Sequence, residues 1–447
     1  MKIAVIGSGI SGLSAAWLLQ TRYDVTVYEQ NQYIGGHTHT VDVPRSGDSM
    51  AVDTGFIVYN ERNYPHLTAL FDHLGVETRG SDMSFGVSLD NGRVEYAGDN
   101  LNTLFGQRKN FFRPSHWRMI REILRFNRQA KSLLGDPVLE DQTLGAFLDD
   151  NGYSQALRDR YLIPMAAAIW SCPPRTMLGF PAASFLRFFD NHGLLDLSGR
   201  PVWRTVVGGS REYVRRLTAT FANRIQVGCP AVRVVRDAGG VTVIDGEGRK
   251  VRYDQVVFGC HADQALQLID RPSVWETKLL TAFRYQPNRV YLHTDERLMP
   301  RRRNVWASWN YVSNRSDGGE RDVSVSYWMN RLQGLSGDTQ YIVSLNPVRK
   351  PRASHVIGVY DYDHPVFSLS AMRAQPLLDR LQGQNHSWFC GAYFGYGFHE
   401  DGLRSGVHLA ARLGVPAPWM EGATPLKQSA VIAGVDSIDV DGVANIG

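Results

Sequence analysis

Three glycines, Gly7, Gly9 and Gly12, constrain this chain more than any other feature. They stand in the run KIAVIGSGISGLSAAWLLQTRYDVTVYE, Lys2 to Glu29. Lys2 to Ile6 is short, apolar and rich in β-branched residues, which favours a strand. Leu13 to Leu19 continues with helix formers, and Val25 to Tyr28 is a second β-branched run. The spacing predicts strand, tight turn, helix, strand, with an acid at the end of the second strand. That order fits a dinucleotide. Gly7 permits the turn. Gly9, lacking a Cβ, lets the backbone approach a pyrophosphate. Gly12 lets the helix pack close to the strand. Ile10 and Ser11 open the helix, whose free N–H groups and dipole attract phosphates. Glu29, followed by Gln30, can accept bonds from ribose hydroxyls and disfavours a 2′-phosphate. A glycine turn with a purely structural role leaves that acid unexplained.

The following segment separates one dinucleotide from another. NAD-binding units usually run straight on to another helix. Here a glycine pair, Gly35-Gly36, follows the acid, then His37 and Thr38, and later Asp53, Thr54, Gly55 and Phe56. This arrangement resembles the flavin-containing amine oxidase and phytoene desaturase superfamily. The residue flanking the glycine pair is often basic there; it is His37 in this chain. Arg224 to Val235, VTVIDGEGRKV and YDQVVFGCHA read as three strands joined by turns, ending at Gly259. The resemblance implies that Val232 lies beside the adenine. SWFCGAYFGYGFHEDGLRSGVHLAARL, near the C-terminus, resembles the superfamily's last cofactor motif. There Gly391, Tyr393, Gly397 and Glu400 would surround the isoalloxazine, and Gly402, Ser405 and Gly406 would open a helix beneath it. The implied cofactor is FAD. The implied fold is α/β: a Rossmann-like FAD-binding domain of the glutathione-reductase/amine-oxidase type with an inserted mixed α+β substrate domain.

The chain has 447 residues and a formal net charge of +4, too mild to suggest nucleic acid. Its domains are expected to be discontinuous, with FAD-binding segments at 1–60, 205–270 and 385–447. The inserts, 61–204 and 271–384, would form the substrate domain. The first reads as largely helical from Tyr64 to Leu134, the second as strands in NRVYLHT, VWASWNYV, DVSVSYWMN and QYIVSLN. Four scattered cysteines, Cys172, Cys229, Cys260 and Cys390, have no C-x-x-C spacing and suggest a reducing compartment. The first strand begins at Lys2, which leaves no room for a leader, and no apolar run is long enough to span a membrane. The expected location is the cytoplasm, with peripheral contact at the inner face of the membrane.

That contact is suggested by residues 105–134. Arg108, Lys109, Arg113, Arg118, Arg121, Arg125, Arg128 and Lys131 face a single acid, Glu122. Phe111, Phe112, Trp117, Ile120, Ile123, Leu124 and Phe126 are interleaved. Pro114 suits the first turn of a helix, with Ser115 or a neighbour as cap. A basic amphipathic helix can lie on an anionic bilayer. It can equally be a solvated face on a helix packed against a core.

Longer strings narrow the resemblance. YIGGHTHTV, DTGFIVYNERNYP, SDMSFGVSL, ASWNYV, SYWMNRLQ, YIVSLNP, DHPVFS and WFCGAYFGYGFHEDGL resemble the N-terminal flavoprotein half of plant cyclopropane fatty acid synthases and its stand-alone bacterial relatives. This implies an FAD-dependent oxidoreductase that oxidises or desaturates fatty acyl lipids, alongside a cyclopropane-synthase-like methyltransferase. An amine oxidase is the competing expectation, and a non-catalytic FAD-binding accessory subunit is a third.

Side chains that could serve the chemistry are His37, His39, Tyr59, Asn60, Trp309, Asn310, Tyr327, Trp328, Tyr393, Tyr396 and His399. His37 and His39 would share a face on a strand; their plain reading is one flavin contact and one buried histidine. His399 could shuttle protons, or could cap the next helix together with Glu400 and Asp401, the latter as N-cap. Trp170 reads as core or pocket wall. No third or fourth ligand suggests a metal, and no G-x-S-x-G elbow suggests a serine hydrolase.

Overall fold

A computed structural model describes residues 1–45, 47–98, 100–170, 174–196, 199–315 and 321–420. Cys172 and the glycine-containing tail beyond 420 lie outside the described residues. The central sheet has five parallel strands in the order Ile225–Gln226, Asp24–Tyr28, Lys2–Ile6, Gln255–Phe258 and Ser387–Phe389. Val5 lies between Val27 and Val257 in register. Both faces of these strands are covered, so their residues are apolar without alternation. Ile3 and Val5 enter one core, Ala4 and Ile6 another.

The first core holds the helices Ile10–Leu19 and His399–Arg412. Their backbones nearly touch, because a Cβ on Gly406 would fall 2.5 Å from the Ser11 carbonyl oxygen. The second core holds the antiparallel strands Ala231–Asp237, Gly240–Asp245 and Lys250–Tyr253. A second large sheet has seven strands, in the order Val356–Val366, Arg284–His293, Ile342–Leu345, Arg321–Trp328, Trp309–Arg315, Phe85–Leu89 and Val94–Ala97. It draws on residues from both inserts. A helical layer, including Pro114–Ser132, Leu144–Asp150, Ile163–Trp170 and Ala182–Asn191, packs around Phe126, Phe147, Phe185 and Phe189. Trp170 is buried in it.

Four sequence expectations need correction. Tyr64 to Leu134 is not largely helical: strands occupy Thr78–Ser81, Phe85–Leu89 and Val94–Ala97. The last two form a hairpin whose turn residues Asp90, Asn91 and Gly92 all have positive φ; D-N-G is a turn signal. Arg224 to Val235 is two strands in two sheets, separated at Gly228-Cys229-Pro230, where Pro230 cannot donate to a ladder. Val356–Val366 is a strand that the sequence reading passed over. The C-terminal helix begins at His399 rather than Gly402, with Phe398 as N-cap. Asp401 is therefore the third helical residue, and its carboxylate accepts bonds from the Phe398 and Tyr396 N–H groups at 3.1 and 2.9 Å.

Candidate active site and cofactor cavity

One cavity of about 960 Å³ runs from the glycine turn to the seven-stranded sheet. At one end the Glu29 carboxylate is 5% exposed and already held. Ser8 donates to Oε2 through its N–H at 3.1 Å and its hydroxyl at 2.6 Å. Asn31 donates to Oε1 through its N–H at 2.7 Å and its amide at 2.9 Å. Gln30 and Val232 line the same end, and Val232 is half exposed.

The glycines divide into two kinds. Gly7 has φ +100°, and a Cβ on Gly12 would fall 2.0 Å from the Gly7 carbonyl oxygen, so these two serve the turn and its packing. Gly9, by contrast, would place a Cβ in open space, with nothing within 4 Å. Gly35 bridges to Gly9, and a Cβ on Gly36 would lie 3.1 Å from Gly9 Cα. Bare backbone therefore faces the cavity beside the start of the helix at Ile10 and Ser11, a cradle suited to a diphosphate.

Histidines gather in the middle. His37 lies with ring centroids 5.2 Å from His364, 5.2 Å from Tyr362 and 6.4 Å from His261. His261 stacks on Tyr285 at 4.2 Å. Burial, and then the neighbouring histidines, push His37 and His261 down to about 4 and His364 down to about 3. All three are neutral at pH 7 and offer hydrogen bonds rather than charge. His37 Nε2 is buried with no partner among the described residues. An unmet polar atom on the wall, next to an open backbone cradle, fits a bound dinucleotide.

Other predicted residues support this wall from behind. Thr54 Oγ1 bonds the Tyr362 hydroxyl at 2.7 Å and His39 Nδ1 at 3.0 Å. Thr38 Oγ1 bonds the Tyr213 hydroxyl at 2.5 Å. A Cβ on Gly55 would fall 2.1 Å from the His37 carbonyl oxygen, so only glycine allows these two backbone segments to approach. Asp53, fully buried, accepts from Thr40, Ser210 and Gln333. Burial pushes it up to about 6 despite those donors.

At the far end Phe56, Gly391, Tyr393, Gly397 and His399 line the cavity. The Tyr393 hydroxyl is buried without a partner among the described residues. His399 stacks on Phe56 with centroids 3.9 Å apart, and burial, then His37, push it down to about 3. Tyr396 is not on the wall; its ring packs 6.3 Å from Phe188. Glu400 faces away. Its carboxylate accepts the His66 and Leu67 N–H groups at 2.9 and 3.0 Å, at the start of the helix Pro65–Leu74. Burial pushes it up to about 7. Gly402 sits in the contact between helices, where a Cβ would meet Ser11 and Ile10. Ser405 accepts the Gly391 N–H at 2.9 Å and so fixes that turn.

Beyond those histidines the wall is mostly apolar, with Met83, Met165, Ile169, Phe188 and Leu194; Tyr96, Tyr161, His192 and Arg200 are its polar members. Trp309 and Tyr327 join it, edge to face at 4.9 Å. Tyr59, Asn60, Asn310 and Trp328 do not line the cavity. Tyr59 and Asn60 are buried, Asn310 braces its own sheet through Ala307 and Ser326, and Trp328 bonds Gln340. His261, Tyr285, Tyr362 and His364 escaped the sequence reading. His261 was within reach of it, just past the carboxyl end of a parallel strand, where ligands of such sheets bind. Among the described residues no cluster of three or more His, Cys, Asp or Glu could hold a metal, and no helix is long and apolar enough to cross a membrane.

The cavity belongs to a known architecture. Putrescine oxidase bound to putrescine superimposes with a TM-score of 0.65 at 15% identity, over 92% of this chain and 99% of that one. A CLA-producing fatty acid isomerase from P. acnes gives 0.65 at 16%, over 92% and 98%. Cyclohexylamine oxidase from Brevibacterium oxydans IH-35A gives 0.64 at 16%, over 92% and 99%. No curated protein matches the sequence. The profile of the family described as flavin containing amine oxidoreductase matches residues 10–358. The protein is an FAD-dependent oxidoreductase, and the chain belongs to the flavin containing amine oxidoreductase family.

Proposed function

We propose that this protein oxidises or desaturates a fatty acyl lipid. One observation carries the reading: the substrate end of the cavity is largely apolar and, among the described lining residues, its charged side chain is a cation, Arg200, with no carboxylate beside it. Among the described lining residues the acids are Glu29, Asp361 and Asp363. Glu29 is at the ribose end. Asp361 pairs with Arg289 at 2.5 Å, and Asp363 flanks His364 near His37. An ammonium substrate buried against Met165, Ile169 and Phe188 would lack a counter-charge; a methylene chain needs none. The likeness of the fold to a fatty acid isomerase is compatible with this.

In this reading the discontinuous segments 1–60, 205–270 and 385–447 hold FAD. Glu29 and Val232 would hold its adenosine, and Gly9, Gly36 and His37 its diphosphate. Gly55, Phe56 and Gly391 would hold the flavin. Bound FAD supplies a two-electron acceptor for a hydride. The inserts, 61–204 and 271–384, present the acyl chain. Loss of a hydride to bound flavin and of a proton from the adjacent carbon to water would leave a C=C bond in that chain. Neutral His364 lines the cavity without adding charge. A cyclopropane-synthase-like methyltransferase acts on the same class of lipid and would supply methylated chains.

Amine oxidation remains a second reading, favoured by the Trp309–Tyr327 pair, which could cage an ammonium group. Anaerobic mixing of the yellow protein with amines or with phospholipids carrying unsaturated, methyl-branched or cyclopropane chains separates the two. Bleaching of the flavin by lipid supports the proposal. Bleaching by amines alone overturns it. No bleaching by either, with stable co-purification of the methyltransferase, indicates an accessory role.

A further inference from the structure

We infer that the turn Arg108–Phe112, with Trp117, is a wedge that docks on an anionic lipid bilayer. Phe112 is 83% exposed and Phe111 55%, the two most exposed aromatic rings among the described large apolar residues. A single 3-10 turn carries them, and they are not scattered. Phe111 packs edge to face on Phe112 at 5.5 Å and on Trp117 at 5.7 Å, and Phe105 packs on Trp117 at 5.1 Å. The Trp117 indole N–H donates to the Phe111 carbonyl at 2.8 Å, which holds the turn against the helix Pro114–Ser132. The exposed rings are thus presented in a fixed geometry, so little ordering cost would accompany their insertion.

Charge complementarity selects the occupant. Arg108, Lys109, Arg118 and Arg121 are exposed around the rings. The one acid of the segment, Glu122, is drawn inward by Ser154 and pairs with Arg118 at 3.4 Å. Exposed aromatics ringed by cations match the boundary between acyl chains and anionic headgroups. The far half of the helix is less available. Arg125 lies over the Tyr153 ring at 4.1 Å, and Lys131 pairs with Asp196. The contact is therefore the tip, not the whole basic face.

The tip is also joined to the cavity. Phe105 packs on His116 at 5.4 Å, and His116 on Tyr96 at 5.6 Å; Tyr96 lines the cavity. Docking at Phe111-Phe112 would hold that wall close to the bilayer.

Sedimentation with vesicles of phosphatidylcholine, with and without phosphatidylglycerol, tests this on the holoprotein. The parent is expected to bind the anionic vesicles and to be released by salt. Phe111→Ser/Phe112→Ser should weaken binding at least about tenfold. Arg108→Glu/Lys109→Glu should weaken it and flatten the salt dependence. Both variants should keep parental flavin absorbance, which excludes misfolding. No binding of the parent to anionic vesicles, or equal binding by the Phe variant, overturns the inference. A surface that instead serves a protein partner gives the first of these results. Vesicle binding does not depend on which substrate reduces the flavin, so the docking and the acyl-lipid reading fail separately.

Discussion

His399 Nε2 lies 2.6 Å from the Tyr213 hydroxyl, although the two residues are 186 positions apart. The same nitrogen is 3.3 Å from Thr38 Oγ1, and the ring stacks on Phe56. A histidine so enclosed is a poor proton shuttle. Burial keeps it neutral, down to about 3.

His399→Gln should therefore leave the shape of the pH profile for flavin reduction unchanged between about pH 5 and 8. Unfolding should cost about 1–2 kcal/mol less, because Tyr213 and Thr38 lose a buried partner. Stopped-flow reduction and denaturant melts check both. Loss of one limb of the profile would show that His399 titrates during the reaction.

Glu29 braces Ser8 and Asn31 in addition to any ribose contact. Glu29→Ala should lower FAD content at least about tenfold, because four charge-assisted hydrogen bonds that shape this end of the cavity are lost together with any ribose contact. Flavin absorbance per protein, measured after dialysis, checks this.

Gly9 and Gly12 should respond differently to the same added methyl group. Gly9→Ala projects into the open cradle and should give a folded protein depleted in FAD. Gly12→Ala drives a Cβ against the Gly7 carbonyl oxygen and should reduce soluble yield and thermal stability, whatever the FAD supply. Thermal melts of apoprotein and holoprotein separate the two. Equal FAD retention by Gly9→Ala would remove the cradle from the cofactor site.

Glu400 gives a pH signature. Its carboxyl is raised in the folded state from 4.5 to about 7, chiefly by burial. The folded protein therefore holds this proton more tightly than the unfolded chain does. That contribution is present below about pH 4.5 and is lost as pH rises through about 7. The stability advantage of the parent over Glu400→Gln should shrink across that window. Melting temperatures of both proteins at several pH values check the sign; a growing advantage would contradict it.

The glycine turn and the acid that closes it were legible because they are local. Gly7, Gly9, Gly12 and Glu29 lie within one strand–helix–strand unit, and their spacing maps directly onto backbone geometry. The D-N-G hairpin at 90–92 was equally local and was passed over. The histidine wall is different. His37, His261 and His364 come from three distant stretches, and His364 sits on a strand whose alternation, YDYDHP, looks like an ordinary exposed edge. Glu400 looked like a flavin contact by motif, yet its partners are N–H groups 333 and 334 residues away.

The sequence by itself determined the dinucleotide turn, the acid that closes it and the apolar parallel strands. Each follows from steric and solvation rules acting over a few residues. Only the tertiary structure decided that Glu400 turns to a neighbouring helix and that His399 is enclosed. It also decided that apolar side chains from both inserts form one wall. Those outcomes depend on how separate helices and sheets pack. Packing brings together side chains hundreds of residues apart, and that proximity sets their burial, their partners and their protonation.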